Sequence, residues 1–177
     1  FSQLVDKIKA KYPEPKMGLV VPMSSFRNTL KKVFKNIKGL KSSMVIGPAD
    51  VTKEKFDIIL VDESHRLRKR NSIGAYIGAF NNAAERLGLD PATSNELEWV
   101  VMQSSKTILF YDEGQSVKPS DVDQEHFERL KQSRTTAIRQ LKSQFRVRGG
   151  NSYVDFIDGL LKGALPESTP PFYSRDY

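Results

Sequence analysis

The 177 residues contain no cysteine. Disulfides, thiolate metal sites, iron–sulfur clusters and cysteine nucleophiles are thereby excluded, and a reducing compartment such as the cytoplasm fits. Histidine is nearly absent too. His65 and His126 stand far apart, so a histidine-built metal site is not expected. Every apolar run is under ten residues long, against about 20 for a helix that spans a bilayer, and no signal-peptide pattern opens the chain. Internal repeats and low-complexity stretches are missing as well. Acidic side chains are scarce in one region only: residues 1–56 carry 4 of them against 12 basic ones. The counts are 8 acidic and 6 basic in residues 57–112, and 9 and 10 in residues 113–177. The net charge of +7 therefore resides in the first third. Such a region is either a solvated lysine-rich helix face or a surface that attracts phosphates.

What remains is an ordinary globular mixture, 38% apolar and 28% charged, enough for a real core. Phe1–Lys11 has helical spacing at Leu4, Val5 and Ile8, and Pro13 ends it. Gly18–Pro22 is a continuous apolar run, as in a strand buried on both faces. Ser24 or Ser25 can cap a following helix with a stripe of Leu30, Val33, Phe34 and Ile37, stopped at Gly39. Ser43–Ile46, Phe56–Val61 and Thr107–Tyr111 are further strands. Helices are expected over Ile73–Leu87, Ser94–Ser104, about Pro119–Leu130 and Tyr153–Leu161, and a fifth strand over Thr136–Arg146. The domain would cover residues 1–163, and the proline-containing stretch 164–177 would be a tail or linker. Strands alternating with helices imply an α/β fold with a mostly parallel sheet covered on both faces. Ligands of such sheets bind beyond the strands' carboxyl ends.

Three segments occupy those ends. In Ile58–His65, IILVDESH, an apolar strand delivers Asp62 and Glu63 to the sheet edge. An acid there can hold Mg²⁺ on nucleotide phosphates, and its neighbour can deprotonate an attacking water. Two solvated acids at a strand end would look the same. In Leu109–Gln115, LFYDEGQ, an acid again follows the strand, with an amide three positions on. Such an amide can hydrogen-bond a γ-phosphate; an exposed turn is the plainer account. In Leu141–Gly149, LKSQFRVRG, Arg146 could stabilise a transferring phosphoryl group, with Gln144 beside it; a surface arginine is the alternative.

Taken in this order, the segments resemble the first motor domain of superfamily 1 helicases, most nearly the bacterial Schlafen group 3 helicase domain. The likeness runs from about Met17 to Tyr153. VVPMSSFRNTL, Val20–Leu30, is similar to motif Ia; VDESHRLRKR, Val61–Arg70, to motif II; LFYDEGQSVKPSD to motif III; and LKSQFRVRGGNSY to motif IV. The resemblance implies a three-layer RecA-like P-loop NTPase fold that binds ATP, Mg²⁺ and single-stranded DNA or RNA. Asp62 would serve Mg²⁺ and Glu63 would be the general base. His65 would relay between the nucleotide and the strand, and Asp112 and Gln144 would lie at the nucleotide. Gln115 would sense the γ-phosphate and Arg146 would stabilise it. Pro22, Ser24, Ser25 and Arg27 would meet the nucleic acid.

The family's phosphate cradle, G-x-x-x-x-G-K-[ST], is not found in these residues. It is expected upstream of Phe1, with a second motor domain downstream of Tyr177. By that reading the sheet lacks its P-loop strand, the chain alone hydrolyses no ATP and holds none tightly, and exposed sheet edges favour self-association. A module that binds nucleic acid or protein, with a vestigial nucleotide site, is the other function class open to this sequence.

Overall fold

The structure is a computed structural model that describes residues 1–141 and 150–163, the latter with side chains from 155 onward. It contains β1 (Met17–Val20), β2 (Val45–Ile46), β3 (Phe56–Val61) and β4 (Ser104–Leu109). Its helices are α1 (Ser2–Lys9), α2 (Ser24–Lys35), α3 (Ile77–Arg86), α4 (Glu96–Gln103), α5 (Gln124–Lys131) and α6 (Gly150–Leu161). They fall into two compact units, one over Phe1–Leu130 and one beginning at Lys131. The first unit holds one sheet of order β2-β1-β3-β4, parallel throughout. The α/β expectation therefore holds. Among the described residues, no helix is long and apolar enough to cross a membrane.

Alternation along β1 and β3 creates two cores. Val20, Ile59 and Val61 face α4 and α5, joined by Val51, Leu97, Val100 and Phe127. Leu19, Val21, Ile58 and Leu60 face the other way, where α1 and α2 supply Val5 and Phe34. The two central strands are thus buried on both faces, which is why their sequences read as unbroken apolar runs. A third cluster joins α3 to α4 through Phe80 and Trp99, whose ring centroids lie 4.5 Å apart. Gly18 is a matter of space: a Cβ there would lie 3.2 Å from both Ile46 Cδ1 and Phe56 Cε1.

The departures from sequence expectation have physical causes. Met23, not Ser24 or Ser25, is the N-cap of α2, and no side chain caps that end. Strand β4 begins at Ser104, directly after α4, and ends at Leu109. Its first residues, Ser104, Ser105 and Lys106, are polar because β4 pairs only with β3 among the described residues, so this part of the strand needs no apolar run. Ser104 Oγ donates to the Val100 carbonyl at 2.9 Å and closes α4 without glycine or proline. Pro48–Lys53 forms a 3-10 helix. Residues 136–141 carry no strand, and the rest of that expected fifth strand lies outside the described residues.

Candidate functional site

β1 and β3 run side by side and end together: the Asp62 N–H donates to the Val20 carbonyl at 3.0 Å. Pro22 and the Asp62–His65 segment therefore emerge on one edge. Phe110 continues β4 on the same edge, its N–H bonded to the Val61 carbonyl at 3.0 Å.

The turn after β3 is sharp. Glu63 adopts φ 51°, ψ 51°, the left-handed region that favours glycine. It precedes a 3-10 turn, Ser64–Arg66. Ser64 clamps this turn to the next strand, since its backbone N–H and its hydroxyl both donate to the Phe110 carbonyl, at 2.8 and 2.9 Å. His65, 1% exposed, points inward. Its Nδ1 accepts the Asp112 N–H at 3.4 Å, while Nε2 lies 3.0 Å from Glu63 Oε2. That second approach has charge-pair distance without hydrogen-bond alignment, so Nε2 has no aligned acceptor. With Nδ1 accepting, the neutral ring carries its proton on Nε2.

Asp112 is turned toward its own loop. Its Oδ1 accepts the Gly114 N–H at 3.1 Å and its Oδ2 the Gln115 side-chain amide at 2.6 Å. Gln115 is exposed, and among the described residues that bond is the one its side chain makes. Glu113 accepts from Gln124 Nε2 at the start of α5. Tyr111 stacks on Phe127, centroids 4.1 Å apart, and so ties the end of β4 to α5. Beyond the loop, Asp121 is buried and its Oδ2 gathers three donors: the Val117 N–H at 3.2 Å, the Lys118 N–H at 3.0 Å and Arg66 Nη1 at 3.3 Å. The segments around β3 and β4 are thus locked together at both ends of the loop.

Asp62 is half-buried at this edge, and its carboxylate makes no hydrogen bond or ion pair among the described residues. It is free to serve a cation. Among the described residues, no group of three or more histidine or acidic side chains could hold a metal. A hard ion here would take one carboxylate and complete its shell with water and ligand oxygens, as Mg²⁺ does on nucleotides.

Pro22, Ser24 and Arg27 line a separate cleft of about 440 Å³, shared with Lys31, Gly47, Asp50, Arg68, Tyr76 and Glu96. Ser25 lies on the exposed first turn of α2, outside that lining. At the cleft floor Glu96 is 1% exposed. Its Oε1 accepts the Tyr76 hydroxyl and its Oε2 the Arg68 N–H, each at 2.8 Å. Burial raises the Glu96 carboxyl to about 7, against the opposing pull of those hydrogen bonds and of Arg68 and Arg27. Burial and the neighbouring carboxylate push Tyr76 upward as well. The Arg68 guanidinium lies over the Tyr76 ring, 5.1 Å from its centroid.

The structure therefore brings Asp62, Glu63, His65, Asp112 and Gln115 to one edge, and Pro22, Ser24 and Arg27 to a cleft on it. Gln144 and Arg146 lie outside the described residues. The sequence reading missed Arg68, Tyr76 and Glu96 in the cleft, and Asp121 below the loop. One signal was available: Asn95 is a good N-cap, and its side chain accepts the Glu98 N–H at 3.0 Å, which places Glu96 in the first turn of a largely buried helix.

No curated protein and no solved structure matches the chain. One family model does, over residues 4–177, and its description is Schlafen group 3, DNA/RNA helicase domain. The acids beyond β3, the amide loop beyond β4 and the parallel sheet behind them agree with that match, and the chain belongs to the Schlafen group 3 DNA/RNA helicase domain family.

Proposed function

We propose that this chain is the strand-binding and nucleotide-sensing part of an ATP-dependent translocase or helicase acting on single-stranded DNA or RNA. The observation that carries the reading is His65, held between Glu63 and the backbone of Asp112. A buried imidazole touching both segments lets a change at one be felt at the other. The free carboxylate of Asp62 suits Mg²⁺ on a nucleotide, and when bound the ion would neutralise charge on the phosphates. Glu63, partly exposed and held in a strained turn, is positioned to take a proton from water. Gln115 can exchange its bond to Asp112 for one to a phosphate oxygen. The basic first third supplies sequence-independent contacts to the strand.

The test is steady-state ATP hydrolysis by the protein in its full natural length, with and without single-stranded DNA and RNA, at low salt. Stimulation by a strand, with turnover reduced about 10²–10⁴-fold in Glu63→Gln, supports the reading and names the polymer. Absence of turnover under every condition leaves a binding module as the better account.

A further inference from the structure

The cleft at the start of α2 has an imbalance. Its two acids are fully used. Asp50 accepts the Gly47 N–H at 3.1 Å and pairs with Lys53 at 2.6 Å, and Glu96 is held by Tyr76 and the Arg68 N–H. Its three cations have donors to spare, although Arg27 and Arg68 lie in the field of Glu96 and Arg27 in that of Asp50. Among the described residues, the side chains of Arg27, Lys31 and Arg68 form no hydrogen bond or ion pair. Arg27 and Lys31 lie one turn apart on the same helix, an arrangement of like charges that costs stability unless an anion joins them. Gly47 makes the room. A Cβ there would lie 1.7 Å from Arg27 Nη1, so the guanidinium rests in space that only glycine leaves. Gly47 has φ −90°, an ordinary value, so a side chain there would act by displacing the flexible Arg27 guanidinium. Arg68 is fixed from below by Tyr76 and Glu96, which orients its fork without using its donors.

We propose that Arg27, Lys31 and Arg68 clamp the phosphate of one nucleotide in this cleft. The volume, about 440 Å³, exceeds a bare phosphate and accommodates one nucleotide unit. The inference rests on the nucleic-acid reading above. It extends the contact surface from the α2 loop to Lys31, Gly47 and Arg68. Because Arg68 follows the Ser64–Arg66 turn, a bound phosphate is anchored to the backbone segment that carries His65.

The phosphate could belong to a strand or to a free mononucleotide, and the test separates them. Fluorescence anisotropy with labelled oligo(dT) and oligo(rU), and isothermal titration calorimetry with dTMP, would be measured across a salt series. The proteins are wild type, Arg68→Gln, Gly47→Ala and, as a control, the exposed Arg129→Gln, each checked for folding by circular dichroism. The expected result is roughly tenfold weaker strand binding in Arg68→Gln and Gly47→Ala, with the control unchanged. The slope of log affinity against log salt should fall by about 0.7 in Arg68→Gln. Wild-type strand binding that both variants retain overturns the clamp and leaves the nucleic-acid reading standing. If no strand binds but dTMP does, and Arg68→Gln abolishes it, the clamp serves a free nucleotide and the strand reading fails. Binding of neither ligand overturns both.

Discussion

His65 and Asp112 stand 47 positions apart, yet the imidazole Nδ1 of one accepts the backbone N–H of the other at 3.4 Å. The ring therefore reads the position of the loop after β4 directly from its backbone. On the opposite side Nε2 faces Glu63. A shift of the Asp112 loop would move the donor that Nδ1 accepts from, on the ring that faces Glu63.

His65→Ala should remove this link and leave a void at a fully buried position. The Asp112 N–H loses its acceptor as well. The expected cost is about 2–4 kcal/mol, read as a lower urea midpoint with an unchanged slope. In the full-length protein, strand stimulation of ATP hydrolysis should fall more than basal hydrolysis does. An equal loss in both would mean that His65 supports the site without coupling it.

Glu63 is held in left-handed backbone, at φ 51°. Glu63→Gly should relieve that cost and stabilise the fold by about 1 kcal/mol, while removing the proposed general base. Glu63→Gln should leave stability near wild type. Guanidinium denaturation of the three proteins checks the order. A destabilised glycine variant would show that the Glu63 contact with His65 outweighs the backbone strain.

Glu96 makes stability depend on pH. Folding raises its carboxyl pKa from 4.5 to about 7 by burial. Between those values the folded protein binds more protons than the unfolded chain. The contribution of this group is therefore fully present below pH 4.5 and is lost as pH rises through about 7. The loss amounts to about 3 kcal/mol. Unfolding free energies at about pH 5 and about pH 8 should differ less in Glu96→Gln than in wild type, by roughly that amount. Parallel pH profiles for the two proteins would refute the assignment.

Asp121 should matter more than its distance from the acids suggests. It is 4% exposed and satisfies two backbone N–H groups and Arg66. Asp121→Ala leaves these donors without an acceptor, at an expected cost of about 2–3 kcal/mol. Asp121→Asn keeps an acceptor and should cost less. Hydrogen exchange at the Val117 and Lys118 amides, faster in the alanine variant, locates the effect.

Much of the sheet was legible because β1 and β3 are buried on both faces. Their runs GLVV and FDIILV announce strands, and the acids after the second announce the edge. The start of β4 was hidden, since a strand paired on one side among the described residues can carry Ser104, Ser105 and Lys106 without alternation. The Asp62–Gln115 constellation could be anticipated because its members directly follow strands. The cleft could not. Arg27, Arg68, Tyr76 and Glu96 come from four separate segments, and their convergence depends on how α2, the stretch after β3 and α4 pack. Neither the left-handed turn at Glu63 nor the space left by Gly47 is written in residue type alone.

The strand order has a consequence for how the protein is made. Along the chain the strands appear as β1, β2, β3, β4, but β3 lies between β1 and β4. During synthesis β1 can pair with β2 on one side while its other edge waits for Phe56–Val61. Every pairing spans a long intervening segment, which makes closure slow. Until β3 pairs, that edge of β1 stays open, and an unpaired apolar edge is where a folding chain is most exposed to pairing with other chains.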